Sequence, residues 1–263
     1  MLLNAVLRPM HEDKKHETAR RVHQRLRAIF AFAIGEGHLS RNPAIDIAEA
    51  LPGVPRAVNQ PALTDLGRLR EMLRAVEALA AHPITKLCNR FLALVAARPG
   101  TVYQASWDEF VRLDDASAVW EVPATKMKSG KPFIYPLCRQ AVEAIEAVRV
   151  LTGRSPYIFP NLRWSKKPAT HGAVYMLLRR AGYQSSHCPH GYRAAFSTIM
   201  NERHRGDRHV IEFALAHVIK DRSAAPYNRA EYLDRRRELH QEWADLLLNG
   251  LSPASDLIGG RRR

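Results

Sequence analysis

Between His16 and Ile34 the apolar residues Val22, Leu26, Ile29 and Ala33 recur at helical spacing, and Gly35 and Gly37 follow as a stop, which predicts an amphipathic helix. A neighbouring face carries His16, Arg20, His23 and Arg27, stepping by four, three and four, so basic groups line one stripe. A solvated face and a phosphate contact are both open readings of that stripe. Thr64 is placed to cap a second helix carrying Leu66, Leu69, Leu73, Val76 and Leu79. A third, with Leu87, Phe91, Leu94 and Val95, runs into Arg98, and Pro99 should end it because the residue before a proline avoids helical geometry.

The period then changes. Segments 111–113, 119–122 and 133–137 read as short strands, joined by Asp114-Asp115 and by the turn Lys128-Ser129-Gly130-Lys131, which predicts a small antiparallel sheet. Helical spacing returns at 141–151, 171–181, 191–200, 208–216 and 229–248. The fold class expected is therefore mainly α with a small antiparallel β-sheet (α+β). Proline and glycine crowd the stretch from Leu51 to Pro61, which marks a linker. The expected organisation is a helical domain at 1–51, a linker at 52–61, a second and larger domain at 62–250, and a flexible basic tail at 251–263 ending in three arginines.

Composition narrows the partner. Forty basic against twenty-six acidic residues in a chain of 263 leave a net charge of +14, so the surface attracts polyanions by forces that salt weakens. Nucleic acid is the foremost partner class, with a merely basic or ribosome-associated protein beside it. Cys88, Cys138 and Cys188 lie fifty residues apart, too far for a zinc-site pair and odd in number for a disulfide framework. His187, Cys188 and His190 sit close together, but Pro189 intervenes and no second ligand cluster exists, so Cys188 reads as structural and no metal or other cofactor is expected. The longest apolar run, 91–97, is too short to cross a bilayer, so a cytoplasmic protein without a membrane partner is expected.

Breaking a phosphodiester without metal requires a nucleophile, donors for charge growing on the non-bridging oxygens, and an acid for the departing oxygen. Tyr227, within Ala225-Pro226-Tyr227-Asn228-Arg229, can be the nucleophile if cations gather around it, since a phenol ordinarily titrates near 10. His190 and Arg193, three apart at the start of a helix, project on one face, although such a pair alone is common on basic surfaces. Arg98 can serve as a second guanidinium, phosphate and guanidinium being geometrically matched. Lys128 is preferred as the acid because Gly130 keeps its turn mobile, with Lys126 and Lys131 as rivals. His217 closes an apolar helix, where a packed histidine is the ordinary reading, and gains weight from lying ten residues before Tyr227. Tyr232, further along, reads as a packing residue.

The order Arg98-Pro99-Gly100, Lys128, Pro189 to Arg193, Leu215-Ala216-His217 and Tyr227 to Tyr232, together with Asn42-Pro43-Ala44, resembles the tyrosine recombinase family, most closely its prophage integrases. The resemblance runs from about Leu7 to Leu248. It implies a site-specific recombinase whose Tyr227 forms a 3′-phosphotyrosyl link, with Arg98 and Arg193 stabilising the transition state, Lys128 protonating the 5′ oxygen, and His190 and His217 assisting. It further implies double-stranded DNA as partner, a tetramer on two duplexes, and exchange of the segment 229–248 between protomers. Two departures stand out: Thr101 occupies a position where the family usually carries an acidic residue that orients the first arginine, and the helical core-binding domain begins partway through, with the arm-binding domain missing, as in a truncated integrase. A noncatalytic DNA-binding remnant is the main alternative. A relaxing enzyme of the type IB topoisomerase kind is another, and an RNA-binding protein is disfavoured by the lack of aromatic stacking motifs.

Overall fold

The computed structural model describes residues 2–45, 47, 60–217 and 232–259, with side chains from Ala5 onward. The chain divides into two units, Met1–Asn59 and Gln60–Arg263. The 52–61 linker lies outside the described residues except for Gln60 and Pro61.

The first unit pairs α1 (Leu2–Glu12) with α2 (His16–Gly35). The apolar pattern does not predict α1, because Pro9 lies inside it and removes one helical donor. Packing overrides that cost: Leu7, Ala19 and Ala44 are fully buried, with Met10, Val22, Leu26 and Phe30 against them. Ile29, expected on the packed face, is 60% exposed. The basic stripe breaks up as well. His23 is buried with its Nε2 2.6 Å from the Ala44 carbonyl, His16 meets His11 Nδ1 to Nδ1 at 2.9 Å, and Arg20 grips Glu17.

In the second unit, α3 (Leu66–Ala78) is capped by Asp65, whose carboxylate accepts the Arg68 N–H at 2.9 Å; the cap is one residue beyond the expected Thr64. Helix α4 (Pro83–Val95) starts with Pro83 in the first turn and is buried at every residue except Thr85. Most of its polar groups are matched: Lys86 donates to the Glu77 carbonyl, Asn89 Oδ1 accepts from the Tyr192 hydroxyl at 2.9 Å while its Nδ2 has no partner among the described residues, and Arg90 forks onto Glu77 and reaches the Ser252 carbonyl. The helix ends at Ala96, left-handed with φ 47°. Pro99 opens a new short helix, α5 (Pro99–Tyr103), which leaves Arg98 extended between two helices.

Strands β1 (Phe110–Val111), β2 (Val119–Val122) and β3 (Phe133–Pro136) form the expected antiparallel sheet, with Trp120 opposite both Phe110 and Tyr135. Trp120 stacks on both rings and donates to Glu109. Helices α6 (Arg139–Thr152), α7 (Gly172–Arg180), α8 (Gly191–Arg203), α9 (Arg208–Ala214) and α10 (Leu233–Leu248) complete the unit around α4. In the single chain α10 packs in cis, with Leu239, Trp243 and Leu247 fully buried and the Trp243 indole donating to the Ala93 carbonyl. Tyr232 packs on His209 and Phe213, as its setting suggests.

The expected flexible tail is corrected over 251–259. Ala254 (1% exposed) and Leu257 (6%) are apolar residues placed to pack on the core, and Glu143 accepts the Ala254 N–H. Residues 260–263 lie outside the described residues. Among the described residues no helix is long and apolar enough to cross a membrane.

Candidate active site

Arg98, Lys128 and His190 line one cleft of about 730 Å³, together with Gly100, His171 and Tyr175. Each arrives by a different local device. Arg98 is the extended residue between α4 and α5, half-buried, and among the described residues its side chain makes no hydrogen bond or ion pair. Thr101, standing where an acidic partner is expected, instead spends its hydroxyl on the Lys126 carbonyl at 3.5 Å. Lys128 is exposed on the turn between β2 and β3, with Gly130 at φ 67° behind it and buried Met127 anchoring it in front. Its rival Lys126 is consumed by an ion pair with Glu109 and by donation to Ser106 and the Gln104 carbonyl. Lys131 is exposed and is not among the residues lining the cleft.

His190 precedes α8, one turn before Arg193, whose N–H donates to the His190 carbonyl. The close approach here needs Gly191: a Cβ at that position would lie 2.8 Å from the buried His187 ring. His187 in turn accepts the Leu63 N–H at Nδ1, and Cys188 meets Gln60. Among the described residues no group of three or more His, Cys, Asp or Glu side chains could hold a metal ion.

Arg193 is 8% exposed and held from behind. Its Nη1 donates to the Ala96 carbonyl at 2.8 Å, and its Nη2 donates to the Leu215 carbonyl at 2.7 Å and to His217 Nε2 at 2.9 Å. Because a guanidinium can only donate, His217 Nε2 must accept, so its proton sits on Nδ1 and is given to Glu212 at 2.6 Å. Strained backbone borders all three attachments of Arg193: Ala96 at φ 47° supplies one carbonyl, and Ala216 at φ 51° lies between Leu215 and His217, which supply the other two. A left-handed non-glycine residue costs about 1–2 kcal/mol, tolerated here where it aims a functional group.

The electrostatics favour an anion. Burial pulls Arg193 down to about 10, and the Arg98 charge pushes the same way, yet the group stays protonated at neutral pH. His190 is lowered first by burial and then by the charges of Arg193 and Arg98, which favours its neutral form. Tyr135, fully buried, lies beside Arg193 without a hydrogen bond of normal geometry; burial raises its phenol while three arginines oppose that rise. Five of the six residues singled out from sequence are thus accounted for: Arg98, Lys128 and His190 on the cleft, with Arg193 and His217 hydrogen-bonded to each other. Tyr227 lies outside the described residues. Sequence reasoning misses Glu212, His171, Tyr135 and the two carbonyls. Only Glu212, five residues before His217, carries a faint signal in its spacing.

A mainly helical body with a three-stranded sheet, carrying Arg98, Lys128 and His190 on one cleft and buried Arg193 within reach of the Arg98 charge, defines an α+β protein with a basic cleft. The description "Phage integrase family" matches residues 67–232, a span that includes all six singled-out residues, and "Phage integrase central domain" matches 1–50. The chain belongs to the phage integrase family. It is 35% identical over 231 residues to prophage integrase IntZ of Escherichia coli (strain K12), covering 88% of this chain and 56% of IntZ. It is 30% identical over 248 residues to the integrase of Shigella phage Sf6, covering 94% and 63%. The chain therefore spans less than two thirds of either relative. In fold it resembles lambda integrase, solved as a dimer bound to a COC′ core site (TM-score 0.59, 20% identity, 87% of this chain and 63% of that one) and as a tetramer bound to a Holliday junction (TM-score 0.61, 19% identity, 84% and 64%).

Proposed function

We propose that the chain is the strand-transferring part of a site-specific DNA recombinase of prophage or genomic-island origin, acting on double-stranded DNA as a self-associating assembly. The observation that carries this reading is the cleft lined by Arg98, Lys128 and His190, with buried Arg193 one turn from His190 and near enough to Arg98 for the two charges to act on each other. Arg98 and Arg193 receive the non-bridging oxygens of one phosphate; their mutual repulsion is relieved when that anion enters. Three of the five N–H groups of Arg193 serve its protein anchors, leaving two for phosphate.

Tyr227 then forms an O–P bond while the bond from phosphorus to the 5′ oxygen breaks. The phenolic proton passes to neutral His190, and Lys128 gives its proton to the departing oxygen. His217, fixed by Glu212, keeps Arg193 in place. The phosphotyrosyl link retains the energy of the broken bond, so attack by a free 5′ hydroxyl restores the duplex through the same groups in reverse. The relatives that match over most of this chain are named integrases, which supports the reading.

The test is a nicked suicide duplex drawn from sequences enriched by binding from a random library. Wild-type chain is expected to form a covalent adduct on it, and Tyr227→Phe none. A 5′-bridging sulfur substrate, whose leaving thiolate needs no acid, should restore cleavage to Lys128→Ala. An adduct undiminished by Tyr227→Phe overturns the mechanism, and salt-sensitive binding without any adduct leaves a noncatalytic DNA-binding remnant.

A further inference from the structure

From 147 to 201 the chain contains no aspartate or glutamate, while Arg149, Arg154, Arg163, Lys166, Lys167, Arg179, Arg180 and Arg193 all fall within it. Among the described residues Arg149 alone of these has a carboxylate partner, Arg180 and Arg193 donate to carbonyls, and Arg154, Arg163, Lys166, Lys167 and Arg179 make no side-chain hydrogen bond or ion pair. At the middle of this stretch sits a loop, 161–168, with an indole at its crest: Trp164 is 53% exposed and Leu162 57%. The other tryptophans differ, Trp120 and Trp243 being fully buried and Trp107 half-buried.

The loop is built to hold that indole outward. Asn161 Oδ1 accepts the N–H groups of both Arg163 and Trp164, Lys167 N–H closes back onto the Trp164 carbonyl at 2.8 Å, and Asn161 N–H onto the Lys167 carbonyl at 2.8 Å. Ser155 braces it from below through the Ser165 carbonyl. On the ring itself, the Arg163 guanidinium and the Lys167 ammonium stand 4.9 and 5.1 Å from the centroid. An exposed aromatic flanked by uncompensated cations on a braced loop suits a partner with an apolar edge between regularly spaced negative charges. The sugar and phosphate backbone of a nucleic acid has that alternation.

We propose that the loop at 161–168 is a second DNA-contacting element, in which Trp164 packs against deoxyribose while Arg163, Lys166 and Lys167 take flanking phosphates. The inference rests on the proposed DNA-directed function and adds the surface that grips duplex beside the reacting phosphate. Its location follows from chain length. His171, which lines the cleft, lies four positions after Lys167, so their Cα atoms are at most about 14 Å apart. Allowing for the width of the cleft and the further reach to Trp164, the contact falls within about one turn of duplex, roughly 10 base pairs, of a phosphate bound in the cleft. Backbone contacts carry no base information, so a duplex of arbitrary sequence suffices as probe.

The experiment uses the full chain and a random-sequence duplex of about 30 base pairs. Acrylamide quenching of tryptophan emission should fall when the protein is saturated with duplex, and in Trp164→Phe that DNA-dependent protection should vanish. Replacing Arg163, Lys166 and Lys167 together by glutamine should lower the slope of log affinity against log salt by about 2.7, three contacts at about 0.9 each. Trp164 remaining equally quenchable on saturated protein, or a slope that does not move, overturns the inference and leaves the recombinase reading standing. Failure of the wild-type chain to bind any duplex removes both.

Discussion

Lowering the pH from 7.5 to 5.0 should destabilise the larger unit by about 4 kcal/mol through two histidines that the fold keeps neutral. Burial pulls both His187 and His240 down to about 4, the second aided by the Arg236 charge. An unfolded histidine titrates near 6.5. The folded value is the lower one, so the unfolded chain takes up the proton first. Stability is full above pH 6.5, declines as pH falls toward 4, and levels off below that. Over the whole window each histidine is worth roughly 3.4 kcal/mol, about 2.5 pH units at about 1.36 kcal/mol each; by pH 5.0 about 2 kcal/mol of that is gone. His190, also held below its ordinary value by burial and by Arg193 and Arg98, adds in the same direction.

Urea titration followed by tryptophan emission measures this cleanly, because Trp107, Trp120, Trp164 and Trp243 all belong to the unit Gln60–Arg263. His240→Phe separates the terms. A phenyl ring can keep the stack on Phe196, now at a centroid distance of 4.9 Å with planes 19° apart, and cannot titrate. Between pH 5 and 6 the wild-type stability should change by up to about 2.7 kcal/mol per pH unit from the two buried rings, and the variant should lose about half of that slope. A flat profile between pH 5 and 6.5, or a slope that survives His240→Phe intact, refutes the claim that desolvation of these rings governs acid stability.

Arg90→Ala should cost about 3–5 kcal/mol in the same assay, since it strands the buried Glu77 carboxylate and frees the Ser252 carbonyl; a loss below about 1 kcal/mol speaks against a structural ion pair. Gly191→Ala should cost about 1–3 kcal/mol, because the new methyl meets the His187 ring, and a neutral result would mean that α8 can shift at its first turn. Glu212→Gln removes the charge that holds His217 and should slow covalent adduct formation roughly tenfold, a loss of about 1.5 kcal/mol, while duplex affinity stays within about twofold. Equal losses in affinity and rate would show that Glu212 acts on binding instead.

How much of this is legible in the chain depends on what kind of interaction sets each feature. Helices that bury a continuous stripe announce themselves by period, so α3, α4 and α6 to α10 emerge within a few residues of their expected bounds. Ends are less visible because they turn on single hydrogen bonds: Asp65 wins the cap over adjacent Thr64, and Pro99 starts a helix where it was expected only to end one. Features made by long-range packing leave no periodic trace, which is why α1 with its internal Pro9 and the seated segment around Ala254 and Leu257 run against expectation. The site divides along the same line. His190 and Arg193 are readable together because one helical turn fixes their relation, and Lys128 because a glycine turn exposes it. What holds Arg193 in place is written in backbone conformation, in two left-handed alanines whose identity signals nothing, and in carbonyls that every residue possesses. A motif can therefore point to Arg193 while the precision of its placement depends on Ala96 and Ala216. Those two positions are where a change of side chain would detune the cleft without touching any residue that chemistry would single out.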